Sequence, residues 1–151
     1  MSTFRSLISL AVALPRANLA VDQIVRCLGA DRETRILLTG SNPCAGPRSE
    51  AAADALATRG IRCLISPRIP EPFATHCVVF GILPIVLARS MVRVLAADAS
   101  VPLTALVAVD LQRQEIVRAG GNTIGFRVDP LIRRRLLAGR CATGDLLSVL
   151  T

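Results

Sequence analysis

The chain has 151 residues, of which 52% are hydrophobic and 19% charged, and carries a formal charge of +7. So many apolar residues with so few charges exclude a disordered chain, and the length sets a single domain, residues 1–151, as the expectation. Four Phe and no Trp or Tyr leave the core to Leu, Ile, Val and Ala, the composition of buried sheets covered by helices.

Residues 7–14, Leu-Ile-Ser-Leu-Ala-Val-Ala-Leu after Arg5, admit two readings. One is a short signal peptide, since the run is too short to cross a bilayer as a helix. The other, which is preferred, is a buried first strand stopped by Pro15. Residues 35–39, Arg-Ile-Leu-Leu-Thr, read as a buried strand, and residues 40–46 as a loop with Asn42, Pro43 and Gly46 as turn formers. A helix is expected over residues 47–59. Pro47 suits its first position, five alanines favour it and Gly60 stops it. Residues 61–65 form the next buried strand, giving a parallel unit with a right-handed crossover.

Pro67, Pro70 and Pro72 delay the next helix to residues 73–80, ahead of Gly81. Residues 82–87 read as a strand interrupted by Pro84. Residues 103–110 and 115–118 read as strands joined by a tight turn, with a further strand over residues 123–128. Asp129 is a good N-cap and Pro130 a first-turn residue for a helix reaching Leu137, closed by Gly139. No repeat or low-complexity linker intervenes. The class is α/β.

The basic charge raises nucleic-acid binding as a function. All 18 basic residues are Arg, however, and the four Phe lie far apart, so stacking platforms are missing. The one dense run, Arg133-Arg134-Arg135, suits the C-terminal end of a helix. Nucleic acid is therefore disfavoured as a partner. Five cysteines (Cys27, Cys44, Cys63, Cys77, Cys141) form no C-x-x-C pair, neither a disulfide framework nor a zinc site, and a reducing cytoplasm fits them. With His76 the sole histidine, the chain is expected to hold no metal of its own. No membrane segment is expected.

The loop over residues 40–46 leaves the C-terminal end of one strand and feeds a helix N-terminus. That edge of an open α/β sheet is the usual ligand crevice, and free N–H groups there favour an anion. Arg48 and Ser49 in the first turn would add a charged fork and a hydroxyl. The glycine spacing and Lys of a P-loop are absent. The plainer alternative is a helix start with a solvated Arg48, and spacing alone does not separate the two.

Four stretches resemble the small subunit of isopropylmalate isomerase, itself similar to the mobile swivel domain of aconitase. Residues 14–24, ending Val-Asp-Gln-Ile, resemble the family's Thr-Asp-Gln-Ile-Ile segment. Residues 36–56 resemble its glycine-rich loop and helix, Asn-Phe-Gly-Cys-Gly-Ser-Ser-Arg-Glu-His-Ala. Residues 60–85 match its next strand, helix and strand in spacing, and residues 126–139 its closing Phe-Glu-Ile-Asp-Pro helix. The resemblance implies a swivelling β/β/α domain and favours the strand reading of residues 7–14. It implies a large-subunit partner bearing an iron–sulfur cluster, whose iron acts as Lewis acid. It further implies a small hydroxy di- or tricarboxylic acid as substrate, and leucine biosynthesis in the cytoplasm as the setting. The swivel part closes over the substrate, supplying a serine base and an arginine for a carboxylate.

Aligned without a gap, the family's Gly-Ser-Ser-Arg-Glu falls on Gly46-Pro47-Arg48-Ser49-Glu50. The catalytic serine position is thus Pro47, without hydroxyl or N–H, and His76 stands where the family commonly has asparagine. Activity of this chain alone is not expected. Two readings follow. In the first the chain is a hydro-lyase subunit. Ser49 is then the base candidate and Arg48 holds a carboxylate, with Gly46, Asn42, Glu50, Asp22 and His76 as further substrate-site residues. In the second it is a catalytically degenerate swivel domain that binds an anion or a partner.

Overall fold

The structure, a computed structural model, describes residues 6–29 and 33–137. Gly139, expected to close the last helix, and Cys141 lie outside the described residues. The strands are β1 (Ser6–Leu14), β2 (Ile36–Thr39), β3 (Cys63–Ser66), β4 (Leu83–Val86), β5 (Leu106–Asp110), β6 (Glu115–Val117) and β7 (Thr123–Gly125). The helices are α1 (Val21–Leu28), α2 (Ser49–Thr58), α3 (Phe73–Val79), α4 (Arg89–Ala99) and α5 (Pro130–Leu137). All seven described strands join one sheet in the order β4-β3-β2-β1-β5-β6-β7.

Two apolar layers explain why the short central strands read as unbroken hydrophobic runs. Side chains alternate across a strand. Ile36, Leu38, Cys63, Ile65, Leu83 and Ile85 enter one layer, and Leu37, Leu64 and Ile82 the other. The first layer is closed by Val92 and Leu95 of α4 and Leu136 of α5. The second is closed by Ile24 and Leu28 of α1, Ala52, Ala53 and Leu56 of α2, and Phe73 and Cys77 of α3. Helices thus cover both faces of the parallel half, as parallel sheets require.

β1 is the joint of the sheet. Its second half pairs in parallel with β2, Ala11 opposite Ile36 and Leu14 opposite Thr39. Its first half pairs antiparallel with β5, Ser6 opposite Asp110 and Leu10 opposite Leu106. Residues 7–14 are therefore an interior strand, as preferred from the sequence. Beyond β1 the layer of α1 to α3 stops. Ile8 (67% exposed), Leu10 and Leu106 (50%) stand bare on that face.

Several boundaries differ from expectation. α2 starts at Ser49, with Pro47 and Arg48 in a turn and Arg48 as N-cap residue without a side-chain cap. α1 and α4 were not anticipated. Residues 102–104 form a 3-10 turn at Pro102, so β5 starts at Leu106 rather than residue 103. β7 ends at Gly125 rather than residue 128. Pro84 is tolerated inside β4 because β4 is an edge strand, where a missing N–H need not interrupt a ladder. Asp129 caps α5 as expected, its Oδ1 accepting the Leu131 N–H at 2.8 Å.

Candidate functional site

The C-terminal ends of β1 to β4 lie along one edge, and the loop over residues 40–48 is pinned there from both sides. The Cys44 N–H donates to Leu19 O at 2.7 Å and the Asn18 N–H to Ser41 O at 2.8 Å, tying the loop to the β1–α1 connection. The Asn42 N–H donates to Arg68 O at 2.8 Å, tying it to the β3–α3 connection. At its root a Cβ on Gly40 would lie 2.6 Å from the Arg16 carbonyl carbon and oxygen, so only glycine fits there. The buried Ser66 hydroxyl lies 2.8 Å from Gly40 O and accepts the Arg68 N–H at 3.3 Å. Asn42 (φ 59°), Cys44 (φ 54°) and Gly46 (φ 127°) all have left-handed backbone. Such conformations are sparsely populated by non-glycine residues and persist only where the surroundings enforce them.

This loop delivers part of the expected set to one place. Asp22 from the first turn of α1, with Gly46, Pro47 and Arg48, lines a cavity of about 340 Å³ closed at its base by Cys44 and Ala52. The Arg48 guanidinium is exposed and makes no hydrogen bond or ion pair among the described residues. The first N–H groups of α2 lie beside it without a side-chain cap. Glu50 lies on the other side of Arg48, in a more open hollow shared with Asp54 and Phe80. Asn42 serves at the base of the loop through its backbone.

Ser49 and His76 make a different arrangement. Ser49 is buried, 2% exposed, at the first position of α2, and its Oγ lies 3.0 Å from Nδ1 of half-buried His76 on α3. The bond joins α2 to α3 beneath the loop. With the imidazole proton on Nε2, Ser49 donates and Nδ1 is poised to take its proton. Ser49 is not among the residues lining the Asp22–Arg48 cavity.

The thiols do not suit a resident cluster. Burial pushes the Cys44 thiol up to about 12. It raises Cys63, and it raises Cys77 together with the neighbouring Cys44 and Glu71 charges. Iron ligation needs thiolates. Among the described residues no three His, Cys, Asp or Glu side chains gather as a metal-holding group. Among the described residues the donor set does not fit an iron–sulfur cluster, and no helix there is long and apolar enough to cross a membrane.

Sequence reasoning missed Arg89 and Arg93. They line a cavity of about 250 Å³ on the other side of the loop, against Thr39, Gly40 and Ser41. The available signal was the spacing of Val92 and Leu95 against Arg89 and Arg93, an amphipathic helix pattern of two turns.

No family model matches the chain. It is 40% identical over 116 residues to the 3-isopropylmalate dehydratase small subunit of Gluconacetobacter diazotrophicus, spanning 77% of this chain and 56% of that protein. It is 41% identical over 115 residues to the small subunit of Parvibaculum lavamentivorans, spanning 76% of this chain and 57% of that one. The chain is a homologue of the 3-isopropylmalate dehydratase small subunits. It spans little more than half the length of these curated relatives. The crystal structure of 3-isopropylmalate dehydratase from Methanocaldococcus jannaschii superposes with a TM-score of 0.68, covering 96% of this chain and 95% of that chain at 16% identity. The small-subunit homologue therefore shares the α/β fold of that dehydratase structure.

Proposed function

We propose that this chain is the small, swivelling subunit of a hydro-lyase of the 3-isopropylmalate dehydratase type. It is one domain, acts in the cytoplasm, and depends on a large subunit that bears the iron–sulfur cluster. It is inactive alone. The substrate is a small hydroxy di- or tricarboxylic acid such as isopropylmalate. The observation that carries this reading is the cavity in which Asp22, Gly46 and unpaired Arg48 meet at the uncapped start of α2, in a chain 40% identical to such subunits.

In this reading Arg48 grips a substrate carboxylate with its fork of donors, helped by the N–H groups of α2. Gly46 lets the backbone approach, and Asp22 and Glu50 serve as further polar groups towards the substrate. Asn42 holds the loop in register. Ser49 is the base towards the carbon acid and His76 receives its proton, a hydrogen-bonded relay. Since Ser49 is covered, this role requires residues 45–48 to move aside as the two subunits close. The cluster, held by the partner, would supply Lewis-acid activation of the leaving hydroxyl.

One observation favours a second reading, a catalytically degenerate swivel domain that binds an anion or partner. Ser49 is engaged as a clip between α2 and α3, and Pro47 stands where an ungapped match to the family motif puts its serine. The test is turnover of isopropylmalate by this chain mixed with a cluster-loaded large subunit. Turnover that Arg48→Gln weakens in KM and Ser49→Ala weakens in kcat supports the hydro-lyase. No turnover of any hydroxy acid with the cluster intact removes it, and the second reading stands.

A further inference from the structure

On the far side of the loop from Arg48, the cavity of about 250 Å³ lies between the C-terminal ends of β1 to β3 and the first turns of α4. Its lining includes Thr39, Gly40 and Ser41 from the end of β2 and, from α4, Arg89 and Arg93. The two arginines are four residues apart and so project from one face of the helix. No acidic residue lines the cavity. Neither guanidinium has an ion pair or hydrogen bond among the described residues. Elsewhere the chain does pair such groups: Arg118 lies 2.7 Å from Asp98 and Arg113 3.9 Å from Asp110. The first turn of α4 also has no acidic residue and no side-chain cap. Arg89 in that turn opposes the helix dipole, with Arg93 one turn further on, an arrangement that an anion would reverse. The opposite wall is rigid, because Gly40 is wedged against the Arg16 backbone and both Thr39 and Ser66 bond to Gly40 O.

From this geometry we infer a second anion site, independent of the Arg48 cavity, in which Arg89 and Arg93 together bind a small dianionic oxyanion. Two guanidinium forks offer paired donors to two carboxylates or to one phosphate group. The Ser41 hydroxyl, which makes no other bond among the described residues, adds a neutral donor at the wall. The volume is below that of sites for drug-sized ligands, so the occupant is small. A site on this face leaves the substrate cavity open and acts on the same pinned loop from behind.

The site is tested on the full chain alone, without any large subunit, so its outcome is separate from that of the hydro-lyase proposal. Backbone amide resonances are followed by NMR during titration with inorganic phosphate, with succinate and with acetate. Saturable shifts at Gly40, Ser41 and residues 89–93 with phosphate or succinate, and weaker ones with acetate, are expected. Whichever dianion binds more tightly identifies the source chemistry. Arg89→Gln and Arg93→Gln should each weaken these shifts about tenfold or more, and Arg48→Gln should leave them unchanged. Both arginines are exposed, so the variants keep the fold, which circular dichroism checks. Amides that do not move with either dianion, or that move equally in the double arginine variant, overturn the site. So do shifts that vanish in Arg48→Gln instead.

Discussion

At the scale of single residues, the Ser49–His76 bond is the most informative feature. Ser49→Ala removes a part-buried 3.0 Å hydrogen bond between two helices, and should lower stability by about 0.5–1.5 kcal/mol in urea unfolding. His76→Ala should cost a similar amount, and the double variant less than the sum, since both lose one interaction. The buried thiols make a second prediction. Cys44 is raised from an ordinary value of 9.0 to about 12, and Cys63 and Cys77 are raised as well. In that window the folded chain retains protons that the unfolded chain gives up. The thiols' contribution is therefore complete below about pH 9 and declines above it, that of Cys44 being lost as pH rises through about 12. Urea midpoints measured upward from pH 8 should fall progressively past pH 9, and Cys44→Ala should flatten the fall. Sequence could place Ser49 and Arg48 side by side but not separate their fates. One residue of rotation at a helix start sends Arg48 to a cavity and Ser49 beneath it, and that start depended on whether Pro47 stood inside or outside the helix.

At the scale of elements, the buried parallel strands were legible because uninterrupted runs such as Ile36-Leu37-Leu38 have no other comfortable home. Leu64→Ala, at a position covered from both sides of β3, should cost about 2–5 kcal/mol. Leu106→Ala, on the half-exposed face of β5, should cost about 1 kcal/mol or less. Chemical denaturation of the pair checks the contrast. α1 and α4 were not legible for a shared reason: neither has a capping Ser, Thr, Asp or Asn at its N-cap position, and only α1, with Asp22, has an acidic first turn. Their N-cap residues are Ala20 and Ala88, and Gln23 alone reaches back to the Ala20 N–H, at 2.8 Å. Missing α4 also hid Arg89 and Arg93. The loop at residue 40 gives a sharper test. Gly40→Ala drives a Cβ into the Arg16 backbone, and should destabilise by about 1–3 kcal/mol while shifting the amide resonances of Ala17, Ser41 and Asn42.

At the scale of the whole molecule, the covering of the sheet is uneven. α1 to α3 protect one face as far as β1, while α4 and α5 reach across the other. The bond network that fixes the loop, from Leu19 on one side to Arg68 on the other, gives the ligand edge a stiff base inside an otherwise short chain. Native-state hydrogen exchange should record this. Amides of β2 and β3 should be the slowest, those of β7 at the opposite margin among the fastest. Overall architecture could be read from hydrophobic runs and from resemblance, whereas which face each helix takes depended on the long return through α4, an element without strong local signals.

The double allegiance of β1 has a consequence for how the chain is made. Its second half finds β2 some twenty-five residues later, but its first half must wait about a hundred residues for β5. Until β5 arrives, the backbone edge of the first half of β1 stands unpaired, beside the side chains of Ile8 and Leu10 that remain exposed even after pairing. A chain lacking residues 106–110 should therefore self-associate through that open edge, and restoring them should suppress the association, as light scattering would record.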